Sequence, residues 1–442
     1  MLSWKKVLLT AGVILFLVMV FVSGCQEAEE TENNEVVIGF SGPLSGPAAE
    51  YGEDNLAGVE MAISDINNAG GITVDGQDYS FRLEYMDDQA DPTQAVSNAE
   101  RLRDVENAIA IWNPIATGIN PTLEINEEEG HEFLMMAYTS TPEELEQEEN
   151  ELVMWIPPSF TSRVQAQGDV AWEEGWRDVA MLVTAGAYGD VWRESFQVYW
   201  EDHLGGNIVA DHPTDYYEQT DYSTEITAIM AQDPDAILIG GPNPPTALAI
   251  EQAREMGYEG GFILIDQAKI NYLEEVLGGL DDLENTIALE PLEARYTPSY
   301  DELEEKFIEE HDPTAVTGEH VQNYMAMIVL SEAMEEANSV DDPYAIREAI
   351  PEVFPILDRD VEYPLSVEYF GIADSGRTKG VYSINMIKDG KYSDQSIWVW
   401  FAESEEEYQQ VMEELTFKEG KTYEDYDINW HEETDIYFPL VE

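Results

Sequence analysis

Short apolar runs alternate with amphipathic stretches along most of the chain. The first series predicts buried strands at 36–40, 81–86, 108–112 and 133–136, with helices at 56–66 and 95–102. Gly70-Gly71 ends the first helix, and Asp75-Gly76 predicts a hairpin turn. A second series predicts strands at 179–183, 207–210, 236–239 and 261–265, with helices at 191–200, 223–231 and 246–256. Strands that alternate with helices indicate parallel sheets covered on both faces, so two series predict two α/β lobes.

Ligands of open parallel sheets bind in the crevice outside the carboxyl ends of the strands. We therefore expect the functional residues of this chain in the loops that directly follow its predicted strands. Further on, a helix is predicted at 405–415 and is followed by an acidic end that contains Tyr426, Trp430 and Tyr437. The sequence suggests no function for this C-terminal extension.

The N-terminus has the pattern of a secretory signal. Lys5 and Lys6 precede an apolar run from Val7 to Val22, and Ser23-Gly24-Cys25 follows it. The alternative is an uncleaved signal anchor, but a run of about 16 residues is short for a spanning helix, which needs about 20. Cys25 is the only cysteine, so it cannot form an internal disulfide. The acidic stretch 25–35 that follows predicts a flexible tether.

The charge of the chain is extreme, with 20 Lys and Arg against 92 Asp and Glu, a formal net charge of -72. Aromatic residues make up 11% of the sequence, which favours a folded protein over an acidic disordered chain. Self-repulsion of this size destabilises a compact state unless salt screens it, and at about 1 M salt the Debye length falls to roughly 3 Å. We therefore predict a halophilic acidic surface, and exclude nucleic-acid binding because phosphate contacts need clustered cations.

Several short motifs, in order, resemble one known family. The segments are VVIGFSGPLSG (Val36–Gly46), Tyr51-Gly52, DINNAGGI (Asp65–Ile72), DDQADPTQA (Asp87–Ala95), Pro142-Glu143, Ala187-Tyr188-Gly189, Asp221-Tyr222-Ser223 and QAREMG (Gln252–Gly257). Together they resemble the branched-chain amino acid (leucine/isoleucine/valine) binding proteins, type I solute-binding proteins of ABC transporters. The resemblance covers about residues 36–392. Val22–Cys25 is similar to the lipobox of bacterial lipoproteins, which implies that Cys25 becomes the lipidated first residue.

The resemblance implies a fold of two Rossmann-like lobes joined by three crossover segments, placed near Pro158, Glu290 and Val367. The implied division is a signal peptide at 1–24, the tether at 25–35, lobe 1 at 36–158 plus 291–366, lobe 2 at 159–290 plus 367–402, and the extension at 403–442. It also implies an extracytoplasmic protein, held to the cell membrane by Cys25, that passes its ligand to an ABC permease.

The ligand contacts that the resemblance implies come from both lobes. On lobe 1 the family's carboxylate-binding serine falls on Ala116, with Thr117 beside it, in the loop after the strand that ends at Trp112. The next loop supplies Tyr138, through its carbonyl group, and Ser140. Tyr51 matches an aromatic residue of the side-chain pocket.

On lobe 2, Tyr188 matches a tyrosine that covers the ligand. Asp266 matches the acid that pairs with the ligand's ammonium group, and a buried carboxylate needs such a partner. Gly240–Pro245 departs from the family's pattern, and we interpret it as a rigid, proline-rich loop beside the site. This departure and Ala116 leave open an amide, urea or carboxylate solute in place of an amino acid.

The sequence lacks the motifs of common enzymes. It has no G-x-S-x-G elbow, no phosphate-binding loop and no H-E-x-x-H motif. The six histidines are scattered without metal-ligand spacing, so we predict neither a metal site nor a cofactor. A secreted α/β hydrolase and a sensory ligand-binding protein are the alternatives to an importer's binding protein. The sequence does not separate the sensory role from the transport role.

Overall fold

The computed structural model describes residues 34–46, 48–140, 150–216, 219–289, 296–360, 363–365, 368–392, 396–399, 404–422 and 427–430. By its internal contacts the chain separates into residues 1–35 and 36–442, and the fold described below is that of the second unit. The predicted signal segment and Cys25 lie outside the described residues. So do the Pro142-Glu143 motif and the crossovers expected at Glu290 and Val367.

The first sheet is built from the N-terminal third of the chain. Its strands are β1 (Glu35–Gly42), β2 (Ile72–Val74), β3 (Gln77–Asp87), β4 (Ala108–Asn113), β5 (Leu134–Ala137) and β6 (Val153–Trp155). They lie in the order β2-β3-β1-β4-β5-β6. β2 and β3 form the predicted antiparallel hairpin, while β1, β4, β5 and β6 pair in parallel. The order reverses between β1 and β4, which is the position where such sheets open a crevice.

The second sheet begins at Asp178. Its strands are β7 (Asp178–Val183), β8 (Asn207–Asp211), β9 (Ala236–Gly240), β10 (Gly261–Leu264), β11 (Thr286–Leu289), β12 (Tyr369–Ile372), β13 (Thr378–Lys388), β14 (Lys391–Tyr392), β15 (Ser396–Val399) and β16 (Asp427–Trp430). The main order is β16-β15-β13-β11-β10-β9-β7-β8. β7 to β11 pair in parallel, and β13 adds antiparallel to β11. The order reverses between β7 and β9.

Helices cover these sheets. Among the described residues they are α1 (Ala49–Ala69), α2 (Pro92–Asp104), α3 (Ala116–Leu123), α4 (Phe160–Glu173), α5 (Ala187–Gln197), α6 (Ser223–Met230), α7 (Asn243–Glu255), α8 (Ile270–Leu277), α9 (Tyr300–His311), α10 (Gly318–Ala337), α11 (Pro343–Ala349) and α12 (Glu405–Glu414). A π-helical turn, Val198–Leu204, continues α5. The predicted two-sheet α/β class is confirmed. In the described part of the chain no helix is both long and apolar enough to cross a membrane.

Apolar residues fill the spaces between each sheet and its helices. α10 is buried on nearly every face because it packs against both α1 and the first sheet, and Tyr324 and Val329 lie in that core. The second sheet has a core on each face. Trp192 and Trp200 lie in one of them, and Ile250 and Phe262 in the other. Burial of apolar area on this scale is the main favourable term in folding.

One local prediction is wrong. The segment Gly240–Pro245 is not a rigid loop, because α7 begins at Asn243 and places Pro244 and Pro245 in its first turn. Proline is well tolerated there, since the first N–H groups of a helix have no intrahelical partner. Pro242 remains before the helix and faces the cavity described below.

The C-terminal extension packs against the rest of the unit. Val411 and Leu415, in and after α12, join a buried cluster with Tyr296 and Val381. Beneath it, the fully buried carboxylate of Glu368 accepts hydrogen bonds from the backbone N–H groups of residues 416 and 358, both at 3.0 Å. Burial raises the pKa of Glu368 to about 7. β16 extends the second sheet by pairing in parallel with β15.

The chain passes from the first sheet to the second between Trp155 and Asp178, so the crossover predicted near Pro158 falls in that passage. The predicted lobe boundaries, 36–158 with 291–366 and 159–290 with 367–402, stay a prediction. We use "lobe 1" and "lobe 2" below for the first and second sheets with the helices that pack on them.

Candidate functional site

A cavity of about 440 Å³ lies between the two lobes. Its walls are the segments that follow β4, β5, β7, β9 and β10, together with the first turns of α1 and α10. These are the carboxyl ends of the strands, next to the points where both strand orders reverse. The cavity has the size and position expected of a small-molecule site in an α/β protein.

All of the ligand-binding candidates chosen from the sequence line this one cavity. They are Tyr51, Ala116, Thr117, Tyr138, Ser140, Tyr188 and Asp266. They come from separate parts of the chain, and the fold brings them together. Their contact with a ligand stays a prediction.

Ala116 and Thr117 belong to a helix and not to the loop that the sequence predicted. α3 begins at Ala116, and Asn113 Oδ1 accepts the N–H of Ile115 at 3.0 Å, just before it. The first N–H groups of a helix have no intrahelical partner and carry the positive end of the helix dipole. The backbone N–H groups of Ala116 and Thr117, at the start of α3, therefore have no intrahelical partner. Gly118 is needed here because a Cβ would lie 2.5 Å from Asn113 Nδ2.

The loop after β5 is held by Arg377, whose backbone pairs with Trp155 of β6. The buried guanidinium of Arg377 donates from Nη1 to the carbonyl oxygens of Thr139 at 2.6 Å and Pro157 at 2.9 Å. The N–H of Tyr138 donates to the Asn113 carbonyl at 3.0 Å. The loop that carries Tyr138 and Ser140 is therefore held at a defined height above the sheet.

The carboxylate of Asp266 lies at the centre of a buried hydrogen-bond network. Its Oδ1 atom accepts hydrogen bonds from the Tyr188 hydroxyl and from Trp192 Nε1, the latter at 2.9 Å. Its Oδ2 atom accepts a hydrogen bond from Ser140 Oγ at 2.6 Å and forms an ion pair with Arg163 Nη1. The side chains of Arg163 and Asp266 are only 5% and 7% exposed.

This network uses the whole capacity of the carboxylate. Two carboxylate oxygens offer about four acceptor sites, and four protein groups donate to them. A ligand ammonium that pairs with Asp266 must therefore replace one of those donors. Ser140 follows β5 and Asp266 follows β10, so their hydrogen bond joins the two walls and is the one that a ligand between them would interrupt.

The protonation states of this network follow from its surroundings. Burial by itself would raise the pKa of Asp266, but the charges of Arg163 and Lys269 and the hydrogen bonds from Ser140 and Tyr188 hold the pKa below its usual value. Burial and the nearby Asp266 charge raise the pKa of the Tyr188 hydroxyl well above its usual value. Asp266 is thus an anion and Tyr188 a neutral donor at any physiological pH.

A second ion pair crosses the cavity. Lys269 Nζ lies 3.0 Å from Glu319 Oε1, with the two side chains 12% and 3% exposed. Beside it, Asn271 Nδ2 donates to the Val316 carbonyl at 2.7 Å, again from lobe 2 to lobe 1. The charged side chains on the described cavity wall therefore pair off as Arg163 with Asp266 and Lys269 with Glu319.

Two ionisable groups near Glu319, Asp54 and His320, are uncharged at neutral pH. Burial, then the charges of Glu319 and Glu50, raise the pKa of Asp54 to about 9. Burial lowers the pKa of His320 to about 3, so its ring is neutral. The Thr317 N–H donates to His320 Nδ1 at 3.2 Å, which places the ring proton on Nε2, 3.5 Å from Asp54 Oδ1. Within the described ranges no group of histidine, cysteine and acidic side chains is arranged to hold a metal ion.

Sequence reasoning missed the cations of the site. Arg163, Lys269 and Arg377 all contact cavity-lining segments, and none stands in a motif of the resemblance. One signal was present in the sequence: with only 20 basic residues among 442, a Lys or Arg at a buried position is conspicuous. The sequence does not show, however, that these positions are buried. Arg163 lies on α4 and Asp266 follows β10, and only the fold brings the two side chains together.

Known proteins resemble this chain in sequence and in fold. A family model described as "Periplasmic binding protein" matches residues 35–366. The leucine-, isoleucine-, valine-, threonine- and alanine-binding protein of Pseudomonas aeruginosa is 25% identical over 323 residues, which cover 71% of this chain and 82% of that protein.

Two crystal structures illustrate the likeness in fold. A leucine-binding protein from Thermotoga maritima has 23% sequence identity and a TM-score of 0.66, over 81% of this chain and 98% of that one. A solute-binding protein of an ABC transporter from R. palustris, in complex with benzoate, has 15% identity and a TM-score of 0.66, over 81% and 95% of the two chains. At these identities the structural matches establish a shared fold and leave the ligand open.

Proposed function

The chain belongs to the periplasmic binding protein family, and we propose that it is the extracytoplasmic substrate-binding lipoprotein of an ABC importer for an amino acid. Proteins of this family bind solutes and are not enzymes. The observation that carries the proposal is the cavity between the lobes, where the candidates chosen from the sequence meet two balanced ion pairs. A wall whose charges cancel suits a zwitterion better than an ion of either sign.

The ligand's carboxylate fits best at the N-terminus of α3. The backbone N–H groups of Ala116 and Thr117 and the Thr117 hydroxyl can donate to it there, supported by the helix dipole. The ammonium group then points toward Asp266 and the carbonyl of Tyr138. Its arrival displaces the Ser140 hydroxyl from Asp266 and leaves Ser140 available to the carboxylate. Tyr188 covers the ligand from lobe 2.

Ligand contacts from both lobes stabilise the closed arrangement more than an open one, so binding drives closure. The closed pair of lobes then presents a surface that reports occupancy to a membrane permease. The lipid on Cys25 keeps the protein at the outer face of the membrane, and the stretch 25–35 acts as the tether. The relatives' printed names make leucine, isoleucine and valine the first ligands to test.

A carboxylate, amide or urea solute without an amino group is the second candidate. It is favoured by one observation, namely that protein donors already satisfy Asp266 in full. The relative bound to benzoate has the same fold and a ligand of this kind. The remaining alternative is a sensory protein that presents the same ligand to a receptor. Permease and ATPase genes next to the gene of this protein would argue against the sensory role.

Calorimetric titration in molar salt separates the candidates. Leucine, isoleucine and valine are compared with 4-methylpentanoate, which keeps the carboxylate and side chain of leucine and lacks the ammonium. We expect binding of at least one amino acid and a large loss with the deaminated analogue. Equal or tighter binding of the analogue would support the second candidate. Absence of binding across amino acids, carboxylates and amides would refute the binding role of this cavity.

A further inference from the structure

Four buried polar atoms of the cavity wall have no hydrogen-bond partner among the described residues. They are Arg163 Nε, Thr184 Oγ1, Gln267 Oε1 and Gln322 Oε1. The residues Arg163, Thr184 and Gln322 are 4%, 3% and 8% exposed. The great majority of buried polar side-chain atoms in proteins are paired, so a group of unpaired ones around one cavity calls for an explanation.

These atoms are not confined to the place where the ligand's carboxylate and ammonium are expected. Gln322 projects from α10, and a Cβ at Gly318 would lie 3.4 Å from Gln322 Nε2 and 3.6 Å from the Tyr138 hydroxyl. The Gln322 amide thus lies on the wall of Tyr138, whose ring centroid is 6.4 Å from that of Tyr51. The resemblance assigns Tyr51 to the pocket for the ligand's side chain. Thr184 lies on the opposite wall, directly after β7.

An aliphatic ligand side chain would seal these atoms from water and leave them unpaired. Two glutamine carbonyl oxygens require donors, Arg163 Nε requires an acceptor, and a threonine hydroxyl accepts either partner. A hydroxyl or a primary amide both donates and accepts, whereas a second carboxylate or ammonium adds a charge to a wall whose charges already cancel.

We propose that the side-chain end of this cavity is built for a neutral, hydrogen-bonding group, and that the ligand is an amino acid with a hydroxyl or primary amide side chain. Gln322 and Thr184 are the specificity-determining residues, one on each wall. The inference rests on the proposed function, since it assigns the side chain of the amino acid whose carboxylate and ammonium were placed above.

Isosteric ligand pairs test the inference on the wild-type protein. Threonine and valine differ by a hydroxyl in place of a methyl group, and glutamine and glutamate by an amide in place of a carboxylate. Titrated in molar salt, threonine or glutamine should bind about tenfold to hundredfold more tightly than its partner, which is the effect of leaving one buried polar group unpaired. Valine or leucine binding as tightly as threonine and glutamine would overturn the inference and leave the proposed function intact. If no amino acid binds, the proposed function fails as well.

Two variants locate the effect. Gln322→Leu and Thr184→Val remove the unpaired polar atoms at nearly constant volume, and each should reduce the preference for the polar ligand about tenfold or more. Both should fold at least as stably as the wild type, because they remove buried polar groups without partners. Gln197→Leu is the control, since Gln197 is exposed and hydrogen-bonds Glu201 Oε2 at 2.7 Å on the surface of lobe 2. A preference that both cavity variants leave unchanged would refute the role of Gln322 and Thr184.

Discussion

The ion pair between Arg163 and Asp266 provides the sharpest test of how the cavity wall is held together. We expect Asp266→Asn to leave a buried guanidinium without its counter-charge, which costs about 3–5 kcal/mol of folding free energy. A Coulomb estimate gives a similar figure, since two unit charges about 4 Å apart interact by about 4 kcal/mol at an effective dielectric constant of 20. Arg163→Met should cost somewhat less, because Ser140, Tyr188 and Trp192 still donate to the carboxylate.

The double variant measures the coupling energy between Arg163 and Asp266. Once one partner is lost, removing the second relieves an unpaired buried charge, so Arg163→Met with Asp266→Asn should be much less destabilised than the sum of the single variants. We expect a coupling energy of about 3 kcal/mol. Unfolding is followed by circular dichroism in urea, an uncharged denaturant, at fixed molar KCl. The linear dependence of unfolding free energy on urea then gives each value.

A surface pair serves as the matched control. Lys388 and Glu174 also form an ion pair, but their side chains are 44% and 30% exposed. Glu174→Gln should change stability by less than about 1 kcal/mol. The reasoning about the cavity would be refuted if the Arg163 and Asp266 substitutions were additive to within about 0.5 kcal/mol, which is the behaviour of independent sites.

Three other outcomes are expected. With 92 acidic and 20 basic residues, the wild type should lose melting temperature steadily as KCl is lowered from several molar to dilute buffer, and an unchanged melting temperature would contradict the predicted need for salt. Glu368 has a folded-state pKa raised by burial from 4.5 to about 7, so the folded state holds this proton more tightly and the contribution of Glu368 to stability is lost as pH rises through that window. This difference of about 2.5 in pKa corresponds to about 3 kcal/mol. Between pH 5 and pH 8, the unfolding free energy from urea titrations should therefore change by about 3 kcal/mol less in Glu368→Gln than in the wild type. An equal change in both proteins would argue against the raised pKa. Cys25→Ala should abolish incorporation of a fatty-acid analogue during metabolic labelling, because Cys25 is the only cysteine, and label retained in the variant would exclude the anchor.

Many of the elements could be predicted from the sequence, but helices α3, α4 and α8 to α11 were not predicted. The alternation of apolar runs with helical spacing placed the strands from β1 to β10 except β6, and Asp75-Gly76 predicted the hairpin between β2 and β3, where both residues have positive φ. These features depend on local periodicity and on backbone conformations of single residues, and both are written in short stretches of sequence. The segment around Pro244 and Pro245 was misjudged because prolines suit a first helical turn as well as a loop.

Tyr51, Tyr138 and Asp266 were chosen as candidates because their positions match those of the family that the sequence resembles. The partners of those residues could not be chosen in this way. Arg163 and Ser140 meet Asp266 from 103 and 126 positions away, and Lys269 meets Glu319 across the cavity.

The amino-acid sequence by itself therefore determined most strands of the two parallel sheets, the fold class and several of the segments that line the cavity. The tertiary structure alone decided which charges are paired, which acids keep their protons and which polar atoms of the wall remain unpartnered. The physical reason is that electrostatic energy and hydrogen-bond satisfaction depend on distance and on burial in three dimensions. Neither quantity has a period along the chain, and both are set only when two lobes close on a common cavity.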